Sequence, residues 1–331
     1  MAVRQLVNDP DDLVAEALRG LEQAHPDLVR CHADPAYVVR AEAAWPKVAL
    51  VSGGGSGHEP LHTGFVGPGM LDAAVPGAVF ASPTAFQVRA AVVAADHGRG
   101  VLLIIKNYTG DVLNFTIAAE LAAEDGVEVR TVLVDDDLAT ESTEGPGRRG
   151  TAAVVAVEKI CGAAAERGAS LDELAALAER VTSSARTLAL ALSSCTHPGE
   201  SRPSFELADD EIEFGVGIHG EHGIERRPFA PARKLVADLA DPIVTALGLT
   251  PGEQVIAIVN GLGATHGLEL SAAHQDLRAH LSGLGIEAAR SLVGSYVTAL
   301  DMRGCSITLL RADAELLELW DAPVRTPALT W

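Results

Sequence analysis

Residues 100–134 read "GVLLIIKNYTGDVLNFTIAAELAAEDGVEVRTVLV". An apolar run, Gly100–Lys106, leads into a helical pattern from Asp111 that glycine closes at Gly126, and a second run, Val127–Val134, follows. Short apolar runs of this kind are strands buried on both faces. A helix between two of them makes the crossover of a parallel sheet. The same grammar extends outward. "KVALVS" (Lys47–Ser52) and "GAVFAS" (Gly77–Ser82) read as further buried strands, and "TAFQVRAAVVAADHG" as a helix closed by glycine. Before them, "NDPDDLVAEALRGLEQAH" reads as a capped amphipathic helix with Leu13, Ala17, Leu21 and Ala24 on one face.

After Gly150, "TAAVVAVEKICGAAAERG" and "SLDELAALAERVTSSA" are helical. The polar, aperiodic "THPGESRPSFELADDE" (Thr196–Glu211) marks a loop or domain junction. Beyond it "EIEFGVGIHG", "QVIAIVNG", "EAARSLVGSYV" and "CSITLLRA" read as strands of a second sheet, with helices "ARKLVADLADPIVTALG" and "HGLELSAAHQDLRAHLSGLG" among them. The expected fold class is α/β, with two α/β domains, each a mostly buried sheet covered by helices. Residues 1–190 are expected to carry a glycine-rich turn and a lysine–aspartate loop, and residues 191–331 a glycine-flanked histidine.

Bulk properties narrow the function. Twenty-five basic against 45 acidic residues give a net charge of −20. Such a field repels nucleic acid and anionic membranes, so neither is expected as a partner, and a small neutral ligand suits the surface better. No apolar run approaches the roughly 20 residues that span a bilayer. The opening "MAVRQLVNDPDDL" has no signal-peptide core, so a cytoplasmic location is expected. Cys31, Cys161, Cys195 and Cys305 form no C-x-x-C pair and read as buried, reduced thiols.

Three stretches carry candidate chemistry. "VSGGGSGHEPLHTG" (Val51–Gly64) contains H-E-x-x-H, but a zinc protease needs both histidines on one helical face. Pro60 between His58 and His62 opposes that helix. Also missing are an acid between Asp72 and Asp96 and a histidine at Pro68 for the third ligand. No lysine follows the glycines as a P-loop requires. A glycine-rich turn at the carboxyl end of a buried strand remains, where parallel sheets place ligands. A tight turn is the plainer use of such glycines, but the attached His58 favours a site. In "IIKNYTGDVLNF" a strand ends at Lys106 and a helix opens near Asp111. Singly these read as a solvated charge and a helix cap; on the same rim as the glycines they point to a shared pocket. In "FGVGIHGEHGIERRP", His219 lies between Gly217 and Gly220 with Glu221 and His222 nearby, room enough for a reactive imidazole.

Taken with "GRRG", "NGLGAT", "SLVGSYVTALDM" and "LWDAPVRTPALTW", these blocks resemble the K subunit of the dihydroxyacetone kinases, from the first helix to the last residue. The resemblance implies that His219 binds the substrate carbonyl carbon as a hemiaminal. It implies that Gly55, Ser56, Gly57, His58, Lys106 and Asp111 hold the hydroxyls, with His58 and Asp111 as the acid–base pair. It further implies a homodimer that binds no ATP or metal itself. The phosphoryl donor, nucleotide with magnesium, is then expected on a separate L-type subunit, fed by ATP or by a phosphotransferase-system protein. Dihydroxyacetone, or a close ketose such as erythrulose, is the implied substrate. A non-catalytic ketone-sensing coactivator on the same fold is the rival. The family has proline where this chain has His222, which bears on ketose preference; an outward-pointing side chain is the plainer reading.

Overall fold

A computed structural model of the chain describes residues 4–42, 45–141 and 147–331. In chain order it forms α1 (Leu13–Ala24), β1 (Val29–Ala33), β2 (Ala36–Arg40), β3 (Ala49–Ser56), β4 (Ala73–Val79), α2 (Ala85–Ala95), β5 (Val101–Lys106), α3 (Thr109–Glu124), β6 (Val129–Val134), α4 (Ala153–Glu166) and α5 (Leu171–Ser183). There follow β7 (Ala185–Ser193), β8 (Glu211–Phe214), β9 (Glu225–Pro228), α6 (Ala232–Leu247), β10 (Gln254–Gly261), α7 (Gly267–Gly283), β11 (Glu287–Gly294), β12 (Arg303–Ala312) and α8 (Ala314–Asp321).

The first sheet has the order β1-β2-β4-β3-β5-β6. Its last four strands are parallel, with the antiparallel β1–β2 hairpin at one edge. Helices α2 and α3 press Val88, Val92, Phe115 and Ala118 against Val51, Val75, Leu103 and Ile105 of the strands. Thr84 and Gln87 start α2 with a reciprocal capping box. Helix α4 is buried almost along its whole length, which is why its sequence is largely apolar, with Glu158 and Lys159 as buried exceptions.

The second sheet has the order β11-β10-β12-β7-β8-β9, and only β10 and β11 run parallel. Helices α6 and α7 cover one face with Leu239, Ile243, Leu270 and Leu277 over Ile212, Val255, Ala257 and Ile307. Asp136 ties the segment after β6 to this sheet. Its buried carboxylate accepts from the Thr151 N–H at 2.6 Å, the Thr151 hydroxyl at 2.8 Å, the Ala153 N–H at 3.0 Å and the Thr187 hydroxyl.

Two α/β units are thus present, but the chain does not divide at 190/191. One unit takes residues 6–134, 154–181 and 318–331, and the other takes 1–5, 135–153 and 182–317. Strand β7 straddles the expected break and pairs wholly within the second sheet. Several element bounds also differ. Strand β3 continues through the glycines to Ser56, β4 begins four residues before Gly77, and β8 ends at Phe214 instead of running on to His219.

Candidate active site

Strands β3 and β5 are parallel neighbours, so their carboxyl ends share one rim. On that rim Gly55 and Ser56 are the last residues of β3, and Gly57 and His58 follow directly. A Cβ at Gly54 would strike Lys106 Nζ, and one at Gly55 would lie 2.9 Å from Phe80 Cα. The glycines are therefore strand residues kept bare for close approach, not a turn. Ser56 donates its hydroxyl to the Gly77 carbonyl at 2.7 Å. The His58 ring is buried and stacks on Phe80 with centroids 5.0 Å apart.

Lys106, at the end of β5, is buried rather than solvated. Its ammonium donates to the Gly53 carbonyl at 2.9 Å, lies 2.9 Å from His62 Nε2 and stands 3.6 Å from Asp111 Oδ2. Asp111 is not the helix cap, because Tyr108 holds that position; Asp111 sits buried in the first turn of α3. Two histidines from one motif thus part company. No helix covers residues 58–62, and His62 turns its Nδ1 to Glu158 Oε1 at 2.6 Å. Burial, then the Lys106 charge, holds His62 well below the usual histidine range. Burial pushes the Glu158 carboxyl up to about 8 against the pull of Lys106. Among the described residues no group of three His, Cys, Asp or Glu side chains is placed to hold a metal.

In the other unit His219 stands in the irregular segment after β8, half-buried. Its N–H donates to Glu221, whose Oε1 meets Arg149 Nη1 at 2.8 Å. Arg149 in turn reaches Asp137 at 2.7 Å and the Gly215 carbonyl at 3.1 Å. Burial pushes Asp137 up to about 6 despite that guanidinium. A Cβ at Gly217 would sit 2.6 Å from Arg149 Nη1, and one at Gly220 would sit 2.8 Å from Ser204 Oγ at a φ of +79°. Gly220 is therefore favoured by its backbone, and a side chain at Gly217 would have to displace the Glu221–Arg149 pair. The His222 side chain is 60% exposed, as an outward residue should be, with Nδ1 3.3 Å from Glu213 and its ring stacked on Phe205.

Sequence reasoning singled out His58, Lys106, Asp111 and His219 but gave no role to His62, Glu158, Arg149 or Asp137. Only the "GRRG" block and the second half of H-E-x-x-H hinted at two of these.

A ligand on the first unit's rim would meet backbone and buried polar groups together, the setting in which α/β proteins hold small polar molecules. That is the class: an α/β protein of two units, one of which carries a rim suited to a small polar ligand. More particularly, the chain belongs to the Dak1 family, since the Dak1 domain matches residues 19–328. It is 48% identical to the PEP-dependent dihydroxyacetone kinase, dihydroxyacetone-binding subunit DhaK, of Escherichia coli (strain K12), over 99% of each chain. Among solved structures it resembles the dihydroxyacetone kinase operon co-activator Dha-DhaQ, with a TM-score of 0.90, 33% identity, and coverage of 95% of this chain and 96% of that one. It also resembles the dihydroxyacetone kinase from C. freundii in complex with AMP-PNP and Mg2+, with a TM-score of 0.88 and 36% identity, over 98% of this chain and 60% of that one.

Proposed function

We propose that this chain is the dihydroxyacetone-binding subunit of a dihydroxyacetone kinase, and that His219 captures the ketone covalently. The observation that carries the reading is the end-to-end likeness to a dihydroxyacetone-binding subunit. The bare nitrogen of a neutral imidazole adds to the carbonyl carbon, the C=O π pair moves onto oxygen, and the oxygen gains a proton as the other ring nitrogen loses one. Glycerol offers no carbonyl, so selection is by chemistry and not by shape. Glu221, held by Arg149, fixes the backbone N–H of His219 and with it the ring's starting position. Gly55, Ser56, Gly57, His58, Lys106 and Asp111 hold the hydroxyls, and fixing the sugar aims one terminal hydroxyl at the incoming phosphoryl group. Asp111 accepts that hydroxyl's proton, with His58 as its acid–base counterpart.

The donor is a nucleotide with magnesium on a partner subunit, and the PEP-dependence in the relative's name favours a phosphotransferase-system source. A homodimer in the cytoplasm belongs to the same reading; among the described residues no helix is long and apolar enough to cross a membrane.

Intact mass spectrometry with dihydroxyacetone tests the capture. The wild type is expected to gain one whole sugar mass and His219→Ala none; an adduct that persists in the variant overturns the assignment. A second reading, a ketone-sensing coactivator, draws on the likeness to the operon co-activator. It predicts the same adduct but no turnover with any nucleotide-bearing partner.

A further inference from the structure

Behind the substrate rim lies a string of buried groups of which the mechanism above uses only Lys106. Glu158 Oε1 is 2.6 Å from His62 Nδ1, and His62 Nε2 is 2.9 Å from Lys106 Nζ. Three elements contribute: Glu158 from α4, His62 from the segment after β3, and Lys106 from the end of β5. The charged or titratable groups facing the string are Asp111 from α3, 3.6 Å from Lys106 Nζ, and His58, whose charge would be felt at His62.

Each of the two links needs one hydrogen, and a neutral imidazole supplies only one N–H. Two arrangements meet that condition. In the first, the Lys106 ammonium donates to Nε2, and Nδ1–H donates to the Glu158 carboxylate. In the second, the Glu158 carboxylic acid donates to Nδ1, and Nε2–H donates to the Lys106 amine. They interconvert when an N–H bond of Lys106 breaks as Nε2–H forms, while Nδ1–H breaks as an O–H forms on Glu158. No heavy atom moves and the net charge is unchanged.

Asp111 selects between them. While it is a carboxylate, it stabilises the ammonium beside it. Once it has taken a proton, the ammonium and the Glu158 carboxylate are left as separated buried charges, an expensive state. The second arrangement then leaves Asp111, Lys106, His62 and Glu158 all neutral. We propose that His62 and Glu158 are positioning residues for phosphoryl transfer, forming a proton relay that switches Lys106 between ammonium and amine as Asp111 loses or gains its proton. The relay rests on the reading of Asp111 as the base. Burial keeps His62 neutral, as both arrangements require, and raises the Glu158 carboxyl toward the second, while the Lys106 charge draws it back toward the carboxylate of the first.

The test is the His62 tautomer, read by ¹⁵N NMR of the free full-length chain and assigned by the signals that His62→Gln removes. Neither sugar nor partner is needed, so failure of ketone capture would leave the result standing. Wild type is expected to carry the proton on Nδ1. Asp111→Asn, the neutral mimic, is expected to carry it on Nε2. The Glu158 carboxyl, read by ¹³C NMR of the same samples and assigned by the signal that Glu158→Gln removes, is expected to be a carboxylate in wild type and a carboxylic acid in Asp111→Asn. The same tautomer in wild type and Asp111→Asn, or a tautomer switch without protonation of Glu158, overturns the relay.

Discussion

At Asp111 the sequence offers two roles for one carboxylate, helix cap or base. The cap position belongs to Tyr108, no side chain caps α3, and Asp111 Oδ1 is buried without a hydrogen-bond partner among the described residues. A buried carboxylate oxygen left open is costly unless something arrives to use it. A substrate hydroxyl would do so. Asp111→Asn is therefore expected to keep the adduct on His219 while turnover with a nucleotide-bearing partner falls by about 10²–10⁴-fold, the usual worth of a general base. Combined adduct mass and steady-state kinetics check this, and wild-type turnover would remove Asp111 from the mechanism. Lys106 shows why residue-scale reading was only partly possible. Its place at a strand end was legible, but its burial against Gly53 and His62 was not. His62 and Glu158 stand 96 positions apart and meet only through the tertiary fold.

Among the elements, α4 shows most clearly how helix packing holds the site. It carries Glu158 and passes so close to the segment after His62 that a Cβ on Gly162 would come 2.5 Å from the Gly69 carbonyl oxygen and 2.6 Å from Met70 Cα. Two effects oppose each other in Gly162→Ala. Alanine gains about 1 kcal/mol of helix propensity. Overpacking against backbone that cannot rotate away costs about 1–3 kcal/mol. The clash is expected to win, lowering the urea midpoint, and a stabilised variant would show that α4 slides freely. Legibility at this scale followed hydrophobicity. Strand β10 was read to the residue, because its eight positions are almost uniformly apolar and buried. Strand β9, "ERRP", was missed because it is charged and largely exposed, and only its pairing with β8 makes it a strand. Strand β3 was read short because glycines are poor strand formers, and here the need for close approach overrides propensity.

For the whole molecule the charge imbalance decides the response to salt. Each unit has its own sheet and core, and the alternation of apolar runs and helices was enough to foresee two α/β units. The crossing points were hidden, because the connection at Asp135–Ala153 is held by Asp136 and its threonine partners rather than by a hydrophobic pattern. The sequence carries 45 acidic and 25 basic residues, and most of them lie outside the cores. Exposed pairs such as Arg89–Asp125 and Arg167–Glu318 add little to stability, and salt weakens them. Against that, the surplus of 20 negative charges repels itself, and unfolding relieves the repulsion. With the Debye length near 10 Å at 0.1 M salt, repulsion spread over the whole surface is screened more fully than pairs in contact. Raising sodium chloride from low ionic strength to a few tenths molar is therefore expected to raise the melting temperature, by about 1–2 °C for each kcal/mol of repulsion removed. Thermal melts across a salt series measure the balance, and a melting temperature that falls with salt would show that the ion pairs outweigh the excess charge.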